Sequence, residues 1–207
     1  MSNTSENIAL TFSDFILQYD IPGMVCLLEG KRKVLEEDQP LLQTFGKLLA
    51  ASSKHIVFRS GNAKGADELF TNGVKSIDPN RLEIILPYSN HRKPKAGDTY
   101  SLSLDELNIA NEPEIIYHTN AASVKNKKLI DRYVSGIRDK LSIKAAYLLR
   151  DTVKVLGDGN EFKSAGFAFF YTDAEYPLSG GTGHTVRVCQ RNNVNWINQG
   201  VWMSWIK

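Results

Sequence analysis

Two glycine-containing turns hold the residue types with the most chemical potential. The later one is Ser179-Gly180-Gly181-Thr182-Gly183-His184-Thr185. It follows the apolar run Gly166-Phe167-Ala168-Phe169-Phe170-Tyr171-Thr172 and precedes Val186, Val188 and Cys189 at helical spacing. Glycines between a strand and a helix let backbone N–H groups converge on an anion, and the helix start favours negative charge there. The earlier turn is Arg59-Ser60-Gly61-Asn62-Ala63-Lys64-Gly65-Ala66-Asp67, reached from the apolar stretch His55 to Phe58. A third cluster, Glu29-Gly30-Lys31-Arg32-Lys33, closes the run Met24 to Leu28. Lys31, Arg32, Lys64 and Arg150 can neutralise phosphate, an arginine bidentately. Gly30, Gly61, Gly65, Gly180, Gly181 and Gly183 allow close backbone approach, while Ser60, Asn62, Thr182 and His184 offer hydrogen bonds to an anionic oxygen or a sugar hydroxyl. Asp67 is the one candidate catalytic group, with a helix-start carboxylate as the plainer role. Each turn also reads as a tight connection without a ligand, and Lys31 to Lys33 as a solvated basic turn.

The elements around these turns follow from apolar periodicity. Phe12, Phe15, Ile16 and Tyr19 predict a helix over about 10–20, closed by Pro22-Gly23. Met24 to Leu28 predicts a strand buried on both faces, and His55 to Phe58 and Leu82 to Leu86 predict a second and a third strand. Leu41, Leu42, Phe45, Leu48 and Leu49 predict a helix between the first two strands; Ala66, Leu69, Phe70 and Val74 predict one between the next two. That βαβαβ order implies a parallel sheet with right-handed crossovers, and so a site at its carboxyl edge. Residues 89–99 read as a long loop holding Arg92, Lys93 and Lys95. Leu102 to Ile109 reads as a short helix, and Glu114 to Tyr117 as a strand. A long amphipathic helix runs through Ile130, Val134, Ile137 and Leu141, and a second helical stretch ends at Arg150-Asp151. Val194 to Ile197 is a last short strand. The aromatic tail over about 198–207 either docks on the core or forms a homodimer interface. The expectation is a single domain spanning 1–207.

The 207 residues carry a net charge of +2, 42% hydrophobic and 23% charged residues, the balance of a globular domain with a sizeable core. So small a net charge is no argument for nucleic acid as partner. Cys26 and Cys189 read as buried reduced thiols, and His55, His91, His118 and His184 form no zinc motif, so neither metal nor cofactor is expected. The absence of a membrane-length apolar run and of a basic, signal-like start leads to the expectation of a cytoplasmic protein without membrane contact.

In this order the elements resemble the SLOG superfamily of Rossmann-like proteins, which includes the Lonely Guy phosphoribohydrolases, DNA-processing protein A and small DprA-like proteins of phages and bacteria. Leu28-Glu29-Gly30-Lys31-Arg32 is similar to the "VGxR" turn of the DprA side. Ser60 to Asp67 is similar to its "SGgArGaD" turn, the most specific match, and Gly180 to Thr185 to the late glycine loop. The small DprA-like proteins are the nearest likeness, with Arg150 ahead of a "GGTGxxxR" loop. The resemblance covers roughly residues 24–198. It implies an α/β, Rossmann-like three-layer sandwich whose mainly parallel sheet is flanked by helices and binds a nucleotide-type phosphorylated ligand at the strand ends. One departure weighs against hydrolysis: where the Lonely Guy motif PGGxGTxxE places its glutamate, this chain has Arg187, with Ser179 for the proline and His184 for the threonine. Glycosidic cleavage wants a carboxylate, which an arginine cannot supply; Glu68, Asp67 and Asp158 are the substitutes in the sequence. The expected function is therefore nucleotide-ligand binding in a sensor or sequestering role. A phosphoribohydrolase-type enzyme and a DprA-like single-stranded DNA binder are the alternatives, and family relatives imply a possible homodimer.

Overall fold

The computed structural model describes residues 10–92 and 100–206. Lys93 and Lys95 of the basic middle loop lie outside the described residues. The chain folds in the order α1 (Phe12–Tyr19), β1 (Val25–Gly30), α2 (Gln39–Ser52), β2 (Val57–Ser60), α3 (Ala66–Lys75), β3 (Leu82–Leu86), β4 (Tyr100–Ser103), α4 (Pro113–Ala122), α5 (Lys127–Val134), α6 (Ser142–Leu156), β5 (Phe167–Tyr171), α7 (Gly180–Arg191), β6 (Asn195–Asn198) and α8 (Gln199–Trp202). Six strands form one sheet in the order β4-β3-β2-β1-β5-β6, and every neighbouring pair is parallel. This is the α/β, Rossmann-like three-layer arrangement expected from the sequence.

Strand alternation divides the core into two layers. Cys26 and Leu28 of β1, with Phe167, Phe169 and Tyr171 of β5, pack among α1, α2, α3 and the C-terminal aromatics. Val25 and Leu27 of β1 and Ala168 and Phe170 of β5 face the other way, toward α6 and α7. Both faces are therefore apolar, as a buried parallel sheet requires. Helices α2 and α3 cross with their backbones in contact at two glycines. A Cβ on Gly46 would stand 2.1 Å from Phe70 O, and one on Gly73 would stand 2.1 Å from Gln43 O. The aromatic tail docks on the chain's own core: Trp202 is fully buried, stacks on Phe45 with centroids 4.7 Å apart and donates Nε1–H to Phe170 O. Trp205 lies against Phe12 and Phe15 of α1 and donates to Leu10 O.

Three local expectations are corrected. Tyr100 to Ser103 form the edge strand β4, where a helix was expected over 102–109; only Ile109–Asn111 coil, as one 3-10 turn. Tyr100-Ser101-Leu102-Ser103 alternates polar and apolar, and pairing to β3 decides between the two periods. Glu114 to Tyr117 lie in α4, although Ile115 and Ile116 favour a strand locally. Pro113 stands in its first turn, and Thr119 locks it by donating to Ile115 O, with its Oγ1 also 2.7 Å from Thr152 Oγ1 of α6. The long helix expected through Ile137 and Leu141 stops early, and the second helical stretch is longer than expected: α5 ends at Val134, Gly136 takes a φ of +91°, and α6 starts at Ser142 and continues past Asp151 to Leu156. No helix among the described residues is long and apolar enough to cross a membrane.

Candidate functional site

Neighbours β1 and β5 sit at the centre of the sheet, and the chain leaves them toward opposite layers, β1 to α2 and β5 to α7. Their carboxyl ends form the topological switch point, where open parallel sheets hold ligands. A cleft of about 140 Å³ opens there, lined by Glu29, Gly30, Lys31, Arg32, Ala63, Asp67, Tyr147, Arg150, Asp151, Gly181 and Thr182. The three stretches singled out in the sequence thus meet in one place.

Asp67 ties the first two together. Its Oδ1 accepts Gly30 N–H at 3.1 Å, and its Oδ2 accepts Gly61 N–H at 3.2 Å and Ala63 N–H at 3.4 Å. With 1% of its surface exposed and three backbone donors on its oxygens, it organises the loops. Gly61 is required by packing, because a Cβ there would lie 1.7 Å from the Arg150 guanidinium, which donates to Gly61 O at 2.6 Å. Gly65, at a φ of +92°, brings its turn against the Arg32 backbone, where a Cβ would meet Arg32 O at 2.2 Å.

Helix α6 presents Tyr147, Arg150, Asp151 and Lys154 along one stripe at i, i+3, i+4, i+7 spacing. Arg150 Nε lies 3.0 Å from Asp151 Oδ1, and Lys154 Nζ bridges Asp151 Oδ1 at 2.9 Å and Glu29 Oε2 at 2.5 Å. Thr185 of α7 donates to Glu29 Oε1 at 2.9 Å. Three carboxylates (Glu29, Asp67, Asp151) thus share two buried cations (Arg150, Lys154). Burial works against the Lys154 charge, but Asp151 and Glu29 outweigh it and raise its pKa. Arg150 is held charged in the same way, and Lys154 and Arg150 overcome burial to keep Asp151 below the usual carboxylate range. Glu29 moves the other way, to about 7, because burial and repulsion from Asp151 and Asp67 exceed the attraction of Lys154. Lys154 is charged, since two carboxylates face it, and Glu29 is the carboxylate of the cluster that takes up a proton most readily.

On the open side of the cleft, Arg32 and Arg150 flank the Tyr147 ring, with guanidinium carbons 5.8 and 5.6 Å from its centroid. Lys31 is 3.5 Å from Asp173. Helix α7 begins at Gly180 with no side-chain cap on its first turn, while Gly183 N–H already donates to Ser179 O at 2.9 Å. The amides before Gly183 have no partner within the helix. The arrangement has the parts of an anion site: arginines, a helix start and glycine backbone.

Not every expected residue joins the cleft. Ser60 is buried and donates to Leu28 O; Asn62, at a φ of 52°, holds Arg92 O; Lys64 is exposed at the tip of its turn. Gly180 faces a different cavity, and Gly183 packs on Leu178, whose carbonyl a Cβ would reach at 2.0 Å. The expectation for His184 is corrected. It lies in the helix's second turn, fully buried, with Nε2 3.1 Å from Leu148 O and 3.2 Å from Thr152 Oγ1. A carbonyl only accepts, so Nε2 carries the hydrogen and Nδ1 is a buried acceptor without a partner. Of the substitute carboxylates, Glu68 pairs with Arg92, and Asp158 caps the turn at Asn160 and Phe162; neither lines the cleft. Tyr147, Asp151, Lys154 and Glu29 went unassigned in the sequence. The readable signal was a charged stripe within the otherwise apolar Ala145 to Val155, since a helix buried all round must pair its charges.

Burial pushes the His184 pKa down from 6.5 to about 4. Between these values the unfolded chain takes up a proton that the native state refuses, so this part of the stability is present above pH 6.5 and is lost as the pH falls toward 4. In urea titrations, going from pH 7 to pH 5 should cost the unchanged protein about 2 kcal/mol more than His184→Gln. Equal losses in the two proteins would mean that the native state accepts the proton.

No protein-family model and no curated protein matches the sequence. Among solved structures, DNA processing protein A from Helicobacter pylori, described for its single-stranded DNA binding mode, is similar at 14% identity and a TM-score of 0.48. The match covers 87% of this chain, which spans 66% of that protein's length.

Proposed function

We propose that the protein binds a nucleotide-type ligand through its phosphate in the cleft at the β1/β5 switch point, and acts by binding rather than by cleavage. The observation that carries this reading is the convergence of Arg32, Arg150, Tyr147 and the uncapped α7 start on one cleft. A neighbouring cleft of about 310 Å³, lined by Pro87, Tyr88, Tyr133, Ile143 and Ala146 and also by Asp105, Arg138 and Asp139, suits a base with its polar edge groups. Tyr88 contacts His91 at 3.1 Å, and His91 in turn contacts Tyr147 of the anion cleft at 3.4 Å. Binding without cleavage is supported by the engagement of the cleft-lining carboxylates: Asp67 by three amides, Asp151 by two cations, Glu29 by Lys154 and Thr185.

Calorimetry with nucleoside monophosphates tests the reading. Arg32 is exposed and free of ion pairs among the described residues, so Arg32→Glu should weaken binding at least tenfold, about 1.4 kcal/mol, without lowering the melting temperature. No heat and no thermal shift with any monophosphate would overturn the reading. A second reading, a base-releasing hydrolase, rests on Glu29: it lines the cleft, and burial raises its pKa to about 7, the range of a general acid or base. Free base appearing in chromatograms, and disappearing in Glu29→Gln, would replace binding with that activity.

A further inference from the structure

A second cavity, of about 450 Å³, lies between the α4–α5 connection, α6 and the start of α7. Its lining includes Lys125, Lys144 and Arg187 and no carboxylate. Among the described residues none of these three cations forms an ion pair, in contrast to Arg150 and Lys154 across the loop. Arg187 is half-buried and fixed in place, donating Nε–H to Ala122 O at 2.7 Å and Nη1–H to Leu178 O at 2.8 Å. Burial lowers its pKa with no opposing acid, which marks a positive charge without compensation. This is the arginine that stands in place of the hydrolase glutamate.

The linings of the two cavities adjoin at one peptide. Gly180 lines the basic cavity and Gly181 lines the anion cleft. A Cβ on Gly180 would meet nothing within 4 Å, and one on Gly181 would come no nearer than 3.4 Å, to Asp151 Oδ2. The Gly180–Gly181 peptide therefore carries no side chain that would block a phosphodiester backbone laid over it.

Building on the nucleotide reading above, we propose that the ligand is a phosphodiester-linked one, with one phosphate in the switch-point cleft and the next in the cavity of Lys125, Lys144 and Arg187. Crossing the glycine peptide lets both phosphates meet cations at once, and the second contact acts at the high effective concentration set by the first. The charge that matters is local, which reconciles a polyanionic ligand with a net charge of only +2.

Calorimetry at fixed ionic strength with thymidine monophosphate, thymidine diphosphate and the dinucleotide pTpT tests the proposal. The dinucleotide should bind about tenfold more tightly than the monophosphate, with a salt dependence steeper by about one counter-ion. Lys144→Gln and Arg187→Gln, separately and together, should bring pTpT down to the monophosphate level while leaving the monophosphate affinity unchanged. Lys144 is exposed, so its variant keeps the test valid should Arg187→Gln unsettle the α4–α7 contact. Three results would overturn the proposal: pTpT no tighter than the monophosphate, a gain shared equally by the diphosphate, or variants that weaken both ligands alike. Each of these leaves monophosphate binding, and the reading beneath it, in place. If the monophosphate itself does not bind, the underlying reading fails and this one with it.

Discussion

Replacing Lys154 with methionine should destabilise the fold by about 3–5 kcal/mol, the cost of leaving buried charge without its partner. Lys154 is 1% exposed and bridges Glu29 on the central strand to Asp151 on α6. Methionine fills similar volume, so the loss is electrostatic rather than a cavity: three carboxylates would then share one cation, Arg150. Urea unfolding should show a lower midpoint with an unchanged slope. Adding Glu29→Gln removes one of the surplus acids and should recover more than about 1 kcal/mol, a coupling that adjacent members of one network display. A loss below about 1 kcal/mol for Lys154→Met would mean that the cluster is protonated to neutrality in the native state.

Gly73→Val should cost about 3 kcal/mol or more, the upper end of what overpacking costs in a close-packed interior. Its new Cβ would stand 2.1 Å from Gln43 O and 2.6 Å from Lys47 N, backbone atoms that cannot rotate away. Helix α3 would have to back off from α2, opening the stack of Phe45, Phe70 and Trp202 between them and the sheet. Gly46→Ala, facing Phe70 O, should show a smaller loss in the same direction. Denaturation midpoints for the two variants check this, and a change within about 0.5 kcal/mol for either, the range of an ordinary surface substitution, would show that the helices separate freely.

Much of the fold was legible because parallel strands buried on both faces read as unbroken apolar runs: Met24 to Leu28, Leu82 to Leu86 and Phe167 to Tyr171 all proved to be strands. Where the pattern was short, pairing or packing decided. Tyr100 to Ser103 became a strand by lying beside β3, and Glu114 to Tyr117 a helix by lying against α6. At the site, the glycine turns and the cations Lys31, Arg32 and Arg150 were visible as residue types near strand ends. Rotation around α7 was not visible in advance. Its helix begins at the first of the glycines, so the donors of its opening turn face outward, while His184, one turn on, points into the core. The acidic half of the site was hidden differently. Glu29 sits in an otherwise apolar strand, and Asp151 and Lys154 in an apolar helix, and only the folded arrangement shows that they belong together.

The sheet order has a consequence for synthesis on the ribosome. Strand β1 finds β2 on one side soon after it emerges, but its other neighbour, β5, ends at Tyr171. Helix α1 waits longer still: the rings it rests on are Phe167, Phe169 and Trp205. Until those residues leave the exit tunnel, the first half of the chain carries an apolar central strand paired on one side only and a helix without the rings it rests on. Such a nascent chain is a natural client for holdase chaperones, and translation pauses in its second half would prolong that exposure.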